Sequence, residues 1–390
     1  MQNTFQLSDE QHMLRDSVHR FIADRFNFEQ WRAALPQRPR FNQPLWHDMA
    51  EMGWLGVGIS TEAGGTGAHI GDLLVVMEGL GRGLVLSPYV GSTVLAGQLL
   101  DRVPGTAAQE LLQGMVRGET LTSVAHAEPG GSWDAAELTT TARRDGASFV
   151  LQGRKRHVLN ADVAQQLIVS ARVDGDDKGV ALLLVPRNAP GLQRTDFLGP
   201  DKHSASDLAL DGVRVPASAL LASGQEAADL LARALDVTIV ACLAEALGCM
   251  DTLRELTHDY IKTRQQFGVA IGSFQVLRHR MADVVVACEE SRALLLYVAS
   301  LMDGSAAQRA NAASAAKVRI GQLGTFVAKQ AVQMHGAIGV TDELAVSHHF
   351  KRLMMIFASF GGADDHLQRF SATRPMAAAS RDTQTPLEHA

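Results

Sequence analysis

The sequence is short of several things, and each shortage removes a class of function. Positive charge is not in surplus: 36 Lys and Arg stand against 42 Asp and Glu, a formal charge of −6. Neutralising nucleic-acid phosphates needs the opposite balance, so a nucleic-acid binder is not expected. Cysteine is scarce, with only Cys242, Cys249 and Cys288 and no C-x-x-C pair. That argues against a thiolate metal site and against a disulfide framework, and points to a reducing compartment. Cys242 and Cys249 stand on one helical face and read as small buried hydrophobes. No apolar run approaches the ~20 residues of a membrane-spanning helix. The opening MQNTFQLSDEQ lacks a charged-then-apolar signal pattern. The expectation is a soluble cytoplasmic protein. The glycine-rich stretch at 56–67 has neither the lysine nor the spacing of a P-loop. His335, His348, His349 and His366 have no acid beside them at ligand spacing, so no metal is expected.

What is present divides by period. The chain has 390 residues, 46% hydrophobic and 20% charged, an ordinary globular composition with room for two or three domains. Residues 1–120 read as a helical domain, opening with the capped start Ser8-Asp9-Glu10 and interrupted by a connector at 36–44 that carries Arg38, Pro39 and Arg40. Further helices are expected at 45–52, 72–86, 93–100 and 110–115. Residues 121–223 alternate and form a β-domain. A hairpin is expected around Asp145-Gly146, with strands at 157–159, 167–173 and 180–185 and a turn at 174–177. Residues 224–378 return to helical spacing at 226–264, 274–302, 306–335 and from Asp365, an antiparallel four-helix bundle. Residues 379–390 read as a flexible tail. The fold class expected is α+β, mostly α. Leu353-Met354-Met355-Ile356-Phe357 reads as bundle core, and Lys351-Arg352 as a solvated face.

The chain is organised around one segment, YIKTRQQFGVAIGSFQVLRHRMAD, starting at Tyr260. A helical run ends in Arg264, a turn carries Phe267, Gly268 and Phe274-Gln275, and a second helix follows. Arg suits phosphate through its paired charge-assisted bonds, and Gln, with an acceptor and two donors, suits an adenine edge. By spacing alone this is a helical hairpin with a polar surface. The order R-x-x-F-G-x-x-I-x-x-F-Q, however, resembles the FAD-binding segment of the acyl-CoA dehydrogenase family. Three more pieces resemble that family in the same order. Glu128-Pro129-Gly130-Gly131-Ser132-Trp133-Asp134 is similar to its T-E-P-x-x-G-S-D, Gly153-Arg154-Lys155 to its G-x-K, and Gln333-Met334-His335-Gly336-Ala337-Ile338-Gly339 to its Q-x-x-G-G-x-G.

The resemblance implies a helical domain, a middle β-domain and a four-helix bundle, and FAD as the cofactor. It implies that Arg264 and Phe267 hold the FAD pyrophosphate across a dimer interface, with Gln275 on the adenine side and Gln333 and Gly336 closing on it from a neighbouring subunit. It places Ser132, His126 and Leu159 at the flavin. The reaction implied is α,β-dehydrogenation of an acyl-CoA thioester: a carboxylate removes the α-proton and the β-hydrogen leaves as hydride. An electron-transfer flavoprotein is the expected acceptor. Two departures stand out. The two positions where the family places its catalytic Glu are Gly361 and Thr238 here, and neither can act as a base. Asp364, Asp365, Asp236 and Glu245 are the substitute candidates, each with an ordinary reading as a solvated or capping acid. The family's tryptophan-threonine flavin contact is replaced by His157-Val158-Leu159. The segments RDSVHRFIADRFNFEQWRAAL, EALGCMDTLRELTHDYIKTRQQFG and AVSHHFKRLMMIFASFGGADDHL resemble the small subunit of pimeloyl-CoA dehydrogenase. That subunit is similar to the base-lacking chains of two-chain members of the family that assemble as α2β2 with a Glu-bearing partner, and the resemblance accounts for the missing Glu. Three readings follow: a dehydrogenase subunit for medium-chain, dicarboxylyl or ring-bearing thioesters, a non-catalytic FAD-scaffolding subunit, or a flavin oxidase or monooxygenase of the same fold.

Overall fold

The computed structural model describes residues 7–26, 28–35, 41–67, 70–130, 138–173 and 179–372. The Arg38 to Arg40 connector, Ser132 with its neighbours, the 174–177 turn and the tail lie outside the described residues.

The first helix, α1 (Asp9–Arg25), starts where the sequence places it. The Ser8 hydroxyl accepts from the Gln11 N–H, and the Gln11 side chain accepts from the Ser8 N–H, a complete capping box. Two short helices, α2 (Phe28–Ala34) and α3 (Gln43–Glu51), lead to the apolar α4 (Ile70–Arg82). A π-helical stretch (Tyr89–Ala96) runs into α5 (Gly97–Leu100) and then α6 (Thr106–Val116). The expected 93–100 helix is therefore the end of a wider-wound segment. Its seven described buried residues include Tyr89, whose hydroxyl reaches the Trp54 carbonyl at 2.7 Å.

Eight strands follow: β1 (Thr122–Ala125), β2 (Thr141–Asp145), β3 (Ser148–Leu159), β4 (Gln166–Val173), β5 (Val180–Pro186), β6 (Leu192–Leu198), β7 (Ser204–Pro216) and β8 (Leu220–Ser223). They form one sheet in the order β6-β7-β3-β2-β4-β5-β8, and β1 lies parallel to β4. The hairpin is present as β2–β3, with Asp145 opposite Ser148. Residues 157–159 are not a separate strand. They are the end of β3, set off by a bulge between Lys155 and Val158. Sequence alternation missed β6–β8 because β6 is largely exposed and β7 mixes buried polar residues with apolar ones.

The bundle comprises α7 (Gly224–Thr263), α8 (Gln275–Ala299), α9 (Ala306–His335), α10 (Ala345–Ala358) and α11 (Ala363–Ala372), with a small ribbon of β9 (Gln265–Gln266) and β10 (Val269–Ala270) between α7 and α8. Residues 235–251 of the forty-residue α7 are buried all round, as expected of a helix enclosed on every side. Glycine lets α4 lie against it. A Cβ on Gly81 would stand 2.0 Å from the Glu245 carbonyl oxygen, and one on Gly248 would stand 1.9 Å from that of Glu78.

Two bundle expectations need correction. The fourth principal helix is α10, with α11 as a short continuation, whereas periodicity alone placed the last helix at Asp365 only. The reason is chemical: the buried face of α10 includes His348, His349 and Arg352, so its apolar pattern is diluted by polar groups. Arg352 is accordingly not on a solvated face. It is buried and gripped by Glu245 of α7 and Asp201 of the β-domain. Lys351 does turn outward, pairing with Asp342.

Candidate functional site

Where the π-helix, β1, β3, α7 and the α10–α11 link converge, they leave a cavity of about 440 Å³. Leu95, Val124, Leu159, Leu235 and Met355 give it apolar walls, and His126, Arg156, His157 and Asp365 are its ionisable groups. Two consecutive residues of one strand, Arg156 and His157, both face it. A regular strand would send them to opposite faces, and the β3 bulge is what brings both to the same side. His157 sits in the left-handed region at φ +51, and its N–H donates to the Asp207 carboxylate at 3.0 Å, which holds the turn. Burial lowers its basicity, against the pull of Asp201 and Asp207, so the imidazole is neutral near pH 7.

Behind the His126–Ala127 wall lies a buried ion pair. Lys155 is fully inaccessible, and its ammonium donates to the Glu128 carboxylate at 2.6 Å, the His126 carbonyl at 3.1 Å and the Ser170 hydroxyl at 3.2 Å. Glu128 also accepts from the Thr139 N–H and hydroxyl and from the Thr140 N–H. Burial opposes charge on Glu128, but Lys155 and these donors hold it well below the usual carboxylate range, at about 2. His126 Nδ1 meets the Ser170 hydroxyl at 3.0 Å. The segment resembling T-E-P and the one resembling G-x-K are thus two halves of one internal brace.

The opposite wall is the link at residues 359–362. Phe360 has φ +57 and Gly361 φ +95, both in the region that L side chains rarely adopt. Gly361 lines the cavity, so this position presents backbone there and no side chain. Thr238 is buried with its hydroxyl on the Ala234 carbonyl of its own helix, and it is Leu235, one turn earlier, that faces the cavity.

The four substitute acids separate clearly. Asp236 is buried between Arg369 at 2.6 Å and Arg309 at 3.5 Å; burial outweighs both cations and raises its pKa. Glu245 is spent on a two-pronged bond to Arg352, at 2.6 and 2.7 Å. Asp364 is exposed in the first turn of α11 and does not line the cavity. Asp365 is the one carboxylate among the described lining residues, and one of its oxygens accepts from the Gly362 N–H at 2.8 Å. Met355 belongs to the cavity rather than to the core, while Leu353 and Ile356 are core as expected.

The residues expected to touch FAD fall in two places. His126 and Leu159 line the cavity. Arg264, Phe267, Gln275, Gln333 and Gly336 do not; they lie exposed at one end of the bundle. Tyr260 brings the two halves of that end together: its ring stacks on His335 at 4.4 Å, and its hydroxyl donates to the His335 carbonyl at 3.3 Å. His335 Nδ1 lies 2.8 Å from the Ala331 carbonyl, an internal helix contact. Phe267 is 91% exposed at φ +52, with the edge-on Phe274 ring beside it at 6.2 Å.

Sequence reading missed Arg352, Lys317 and His366. Each is a buried polar group whose partners lie on distant elements, and single-sequence spacing carries no signal for that. The described residues hold no group of three or more His, Cys, Asp or Glu able to bind a metal, and no helix long and apolar enough to cross a membrane. All three cysteines are buried and free.

Comparison with known proteins returns a consistent result along the chain. Residues 8–119 match the sequence model described as "Acyl-CoA dehydrogenase, N-terminal domain", residues 123–213 the middle domain, and residues 228–374 the C-terminal domain. Among curated relatives, "Acyl-CoA dehydrogenase FadE12" of Mycobacterium tuberculosis is 29% identical over 354 residues, covering 87% of this chain and 89% of that protein. Among solved structures, the "Tcur3481-Tcur3483 steroid ACAD G363A variant" is 30% identical with a TM-score of 0.84, covering 94% and 97% of the two chains. The ChsE4-ChsE5 complex from Mycobacterium tuberculosis is 26% identical with a TM-score of 0.85, covering 94% and 98%.

Proposed function

Because the chain belongs to the acyl-CoA dehydrogenase family, we propose that it is the base-lacking subunit of an FAD-dependent acyl-CoA dehydrogenase built from two kinds of chain. The observation that carries this is Gly361. At φ +95 the link is shaped for glycine, and Thr238, the other family position for the base, has its hydroxyl turned onto its own helix. Removal of a weakly acidic α-proton needs a positioned carboxylate, and this chain offers none at either place. Two of the similar solved structures support the reading, since both carry paired names, Tcur3481-Tcur3483 and the ChsE4-ChsE5 complex.

The residues present fit FAD unevenly. The exposed end of the bundle fits its dinucleotide part: Arg264 supplies a guanidinium for pyrophosphate, Gln275 and Gln333 supply amide donors and acceptors, and the uncovered Phe267 supplies an apolar lid. Bound there, FAD would supply the acceptor for the β-hydride. This chain's part is to hold the dinucleotide of a cofactor whose site is shared with a neighbouring subunit. Its own cavity, with imidazoles at His126 and His157 and mostly apolar walls, suits an apolar acyl group of the medium-chain or ring-bearing kind. An electron-transfer flavoprotein is the acceptor in this proposal.

The test is to purify the chain alone and with a co-expressed Glu-bearing partner, then measure flavin content and anaerobic bleaching by octanoyl-CoA. Flavin and bleaching only in the two-chain assembly are expected. Full bleaching by the chain alone overturns the proposal. It would favour a second reading, in which Asp365, the acid that lines the cavity, is the base.

A further inference from the structure

We propose that Phe360, held by Lys317 and His366, is the residue that limits the size of the acyl group this cavity accepts. The inference rests on the acyl-thioester reading of the cavity given above.

Phe360 stands at a junction. It lines the 440 Å³ cavity, and it also lines a second space of about 30 Å³ that shares His157, Leu159, Met355 and Ser359 with the first. The smaller space is walled by polar groups, Asn160, Asp201, His203 and Arg352. It holds about one water molecule. The Phe360 ring packs against the N-terminal core, the bundle core and the apolar cluster beneath the sheet. Removing that ring joins the two spaces and lengthens the main cavity toward a polar end.

An aromatic residue at φ +57 persists only where its surroundings over-determine it. Here the backbone on both sides of the ring is pinned from α9 and α11. The Lys317 ammonium donates to the Ile356 carbonyl at 2.6 Å and to the Ser359 carbonyl at 2.8 Å. These are carbonyls at the C-terminal end of α10, where a helix leaves acceptors unpaired and favours a cation. His366 Nε2 lies 2.9 Å from the Phe360 carbonyl. A carbonyl can only accept, so Nε2 carries the proton and Nδ1 accepts from the Ser314 hydroxyl at 3.1 Å. Ser314 and Lys317 lie one turn apart on α9, so one helix face holds both ends of the strained link. Lys317 and His366 are positioning residues; Phe360 sets the limit.

The experiment measures binding of butanoyl-, octanoyl- and dodecanoyl-CoA by calorimetry to the flavin-loaded assembly. In Phe360→Ala the affinity for dodecanoyl-CoA relative to octanoyl-CoA rises by about tenfold or more, from methylenes that fill the space left by the ring among the three apolar clusters. His366→Leu moves the ratio the same way. His366→Gln, whose amide can still donate to the Phe360 carbonyl, leaves it at the wild-type value. Phe360→Leu replaces Phe360→Ala should the latter fail to fold. An unchanged ratio in a folded Phe360 variant overturns the proposal, and so does an equal loss of all three ligands, the mark of a merely structural residue. If the wild-type assembly binds these thioesters at only one site per Glu-bearing chain, the underlying reading of this chain's cavity fails and the size limit with it.

Discussion

Arg352→Met is the sharpest perturbation the structure offers. The guanidinium contacts three carboxylate oxygens at 2.6, 2.7 and 2.7 Å, from Glu245 and Asp201. The side chains are 11, 5 and 2% exposed, respectively, so all three charges are out of water. Burial opposes charge on Asp201, and His203 and Arg352 outweigh it, holding the acid below its ordinary range. Removing the cation alone leaves two buried carboxylates facing each other. Breaking a buried pair in this way costs about 3–5 kcal/mol, most of it the penalty of the stranded charge rather than the worth of the bond. The readout is urea unfolding by circular dichroism at pH 7.5, comparing Arg352→Met with the triple variant Arg352→Met, Glu245→Met, Asp201→Asn. The single variant is expected to lose several kcal/mol and the triple variant to recover most of it, because apolar replacement of a buried pair is often near neutral. A single-variant loss under about 1 kcal/mol would refute the reasoning, since exposed pairs are worth no more than that.

Other outcomes are expected. Arg264→Ala lowers the flavin content of the assembly, measured by visible absorbance; unchanged occupancy sinks its assignment to the pyrophosphate. Gly361→Glu places a carboxylate in the cavity wall and is expected to allow some flavin bleaching by octanoyl-CoA. The backbone strain costs about 1–3 kcal/mol, visible as a lower unfolding midpoint. His203, His349 and His366 are pulled down by burial to about 4, 3 and 4. Their neutral forms are favoured in the fold, so their contribution is complete above the unfolded value of 6.5 and is lost as pH falls from there. Stability should drop by about 1.4 kcal/mol per pH unit for each fully differing proton, and a flat profile between pH 6.5 and 4.5 would contradict this. Burial pushes the Cys242 and Cys288 thiols up to about 12. Native protein should therefore resist iodoacetamide at pH 8 and react only once unfolded, as read by mass spectrometry.

The parts of the molecule legible in its sequence are those whose chemistry is local. The Ser8 capping box, the β2–β3 hairpin and the long runs of α7, α8 and α9 all follow from residues within a few positions of one another. The family segments around Arg264 and Gln333 were readable as strings, yet the string could not say that they share one end of the bundle or that Phe267 stands uncovered. What escaped is what depends on distance in sequence. Arg352 looks like half of an ordinary Lys-Arg surface pair until Glu245, 107 residues earlier, is found against it. Lys155 looks like part of a strand turn until Glu128 closes the pair. The helix α10 was hidden because its inward face mixes polar groups with apolar ones, and the Arg352 charge there is satisfied by other elements. By sequence Asp365 stands level with Asp364, Asp236 and Glu245, and the cavity is what separates it from them.

The left-handed link has a consequence at the level of the genetic code. Glycine codons GGA and GGG become glutamate codons by one base substitution, so an acid at position 361 is within reach of a single replication error. Such a mutant would arrive in a main chain already turned to φ +95, and it would have to carry that strain before any turnover could repay it. A gene in this state is held apart from its base-bearing relatives by conformation rather than by mutational distance. Reversal without that loss of stability would require a second change that relaxes the turn, and the grip of Lys317 and His366 on the neighbouring carbonyls marks where that change would have to fall.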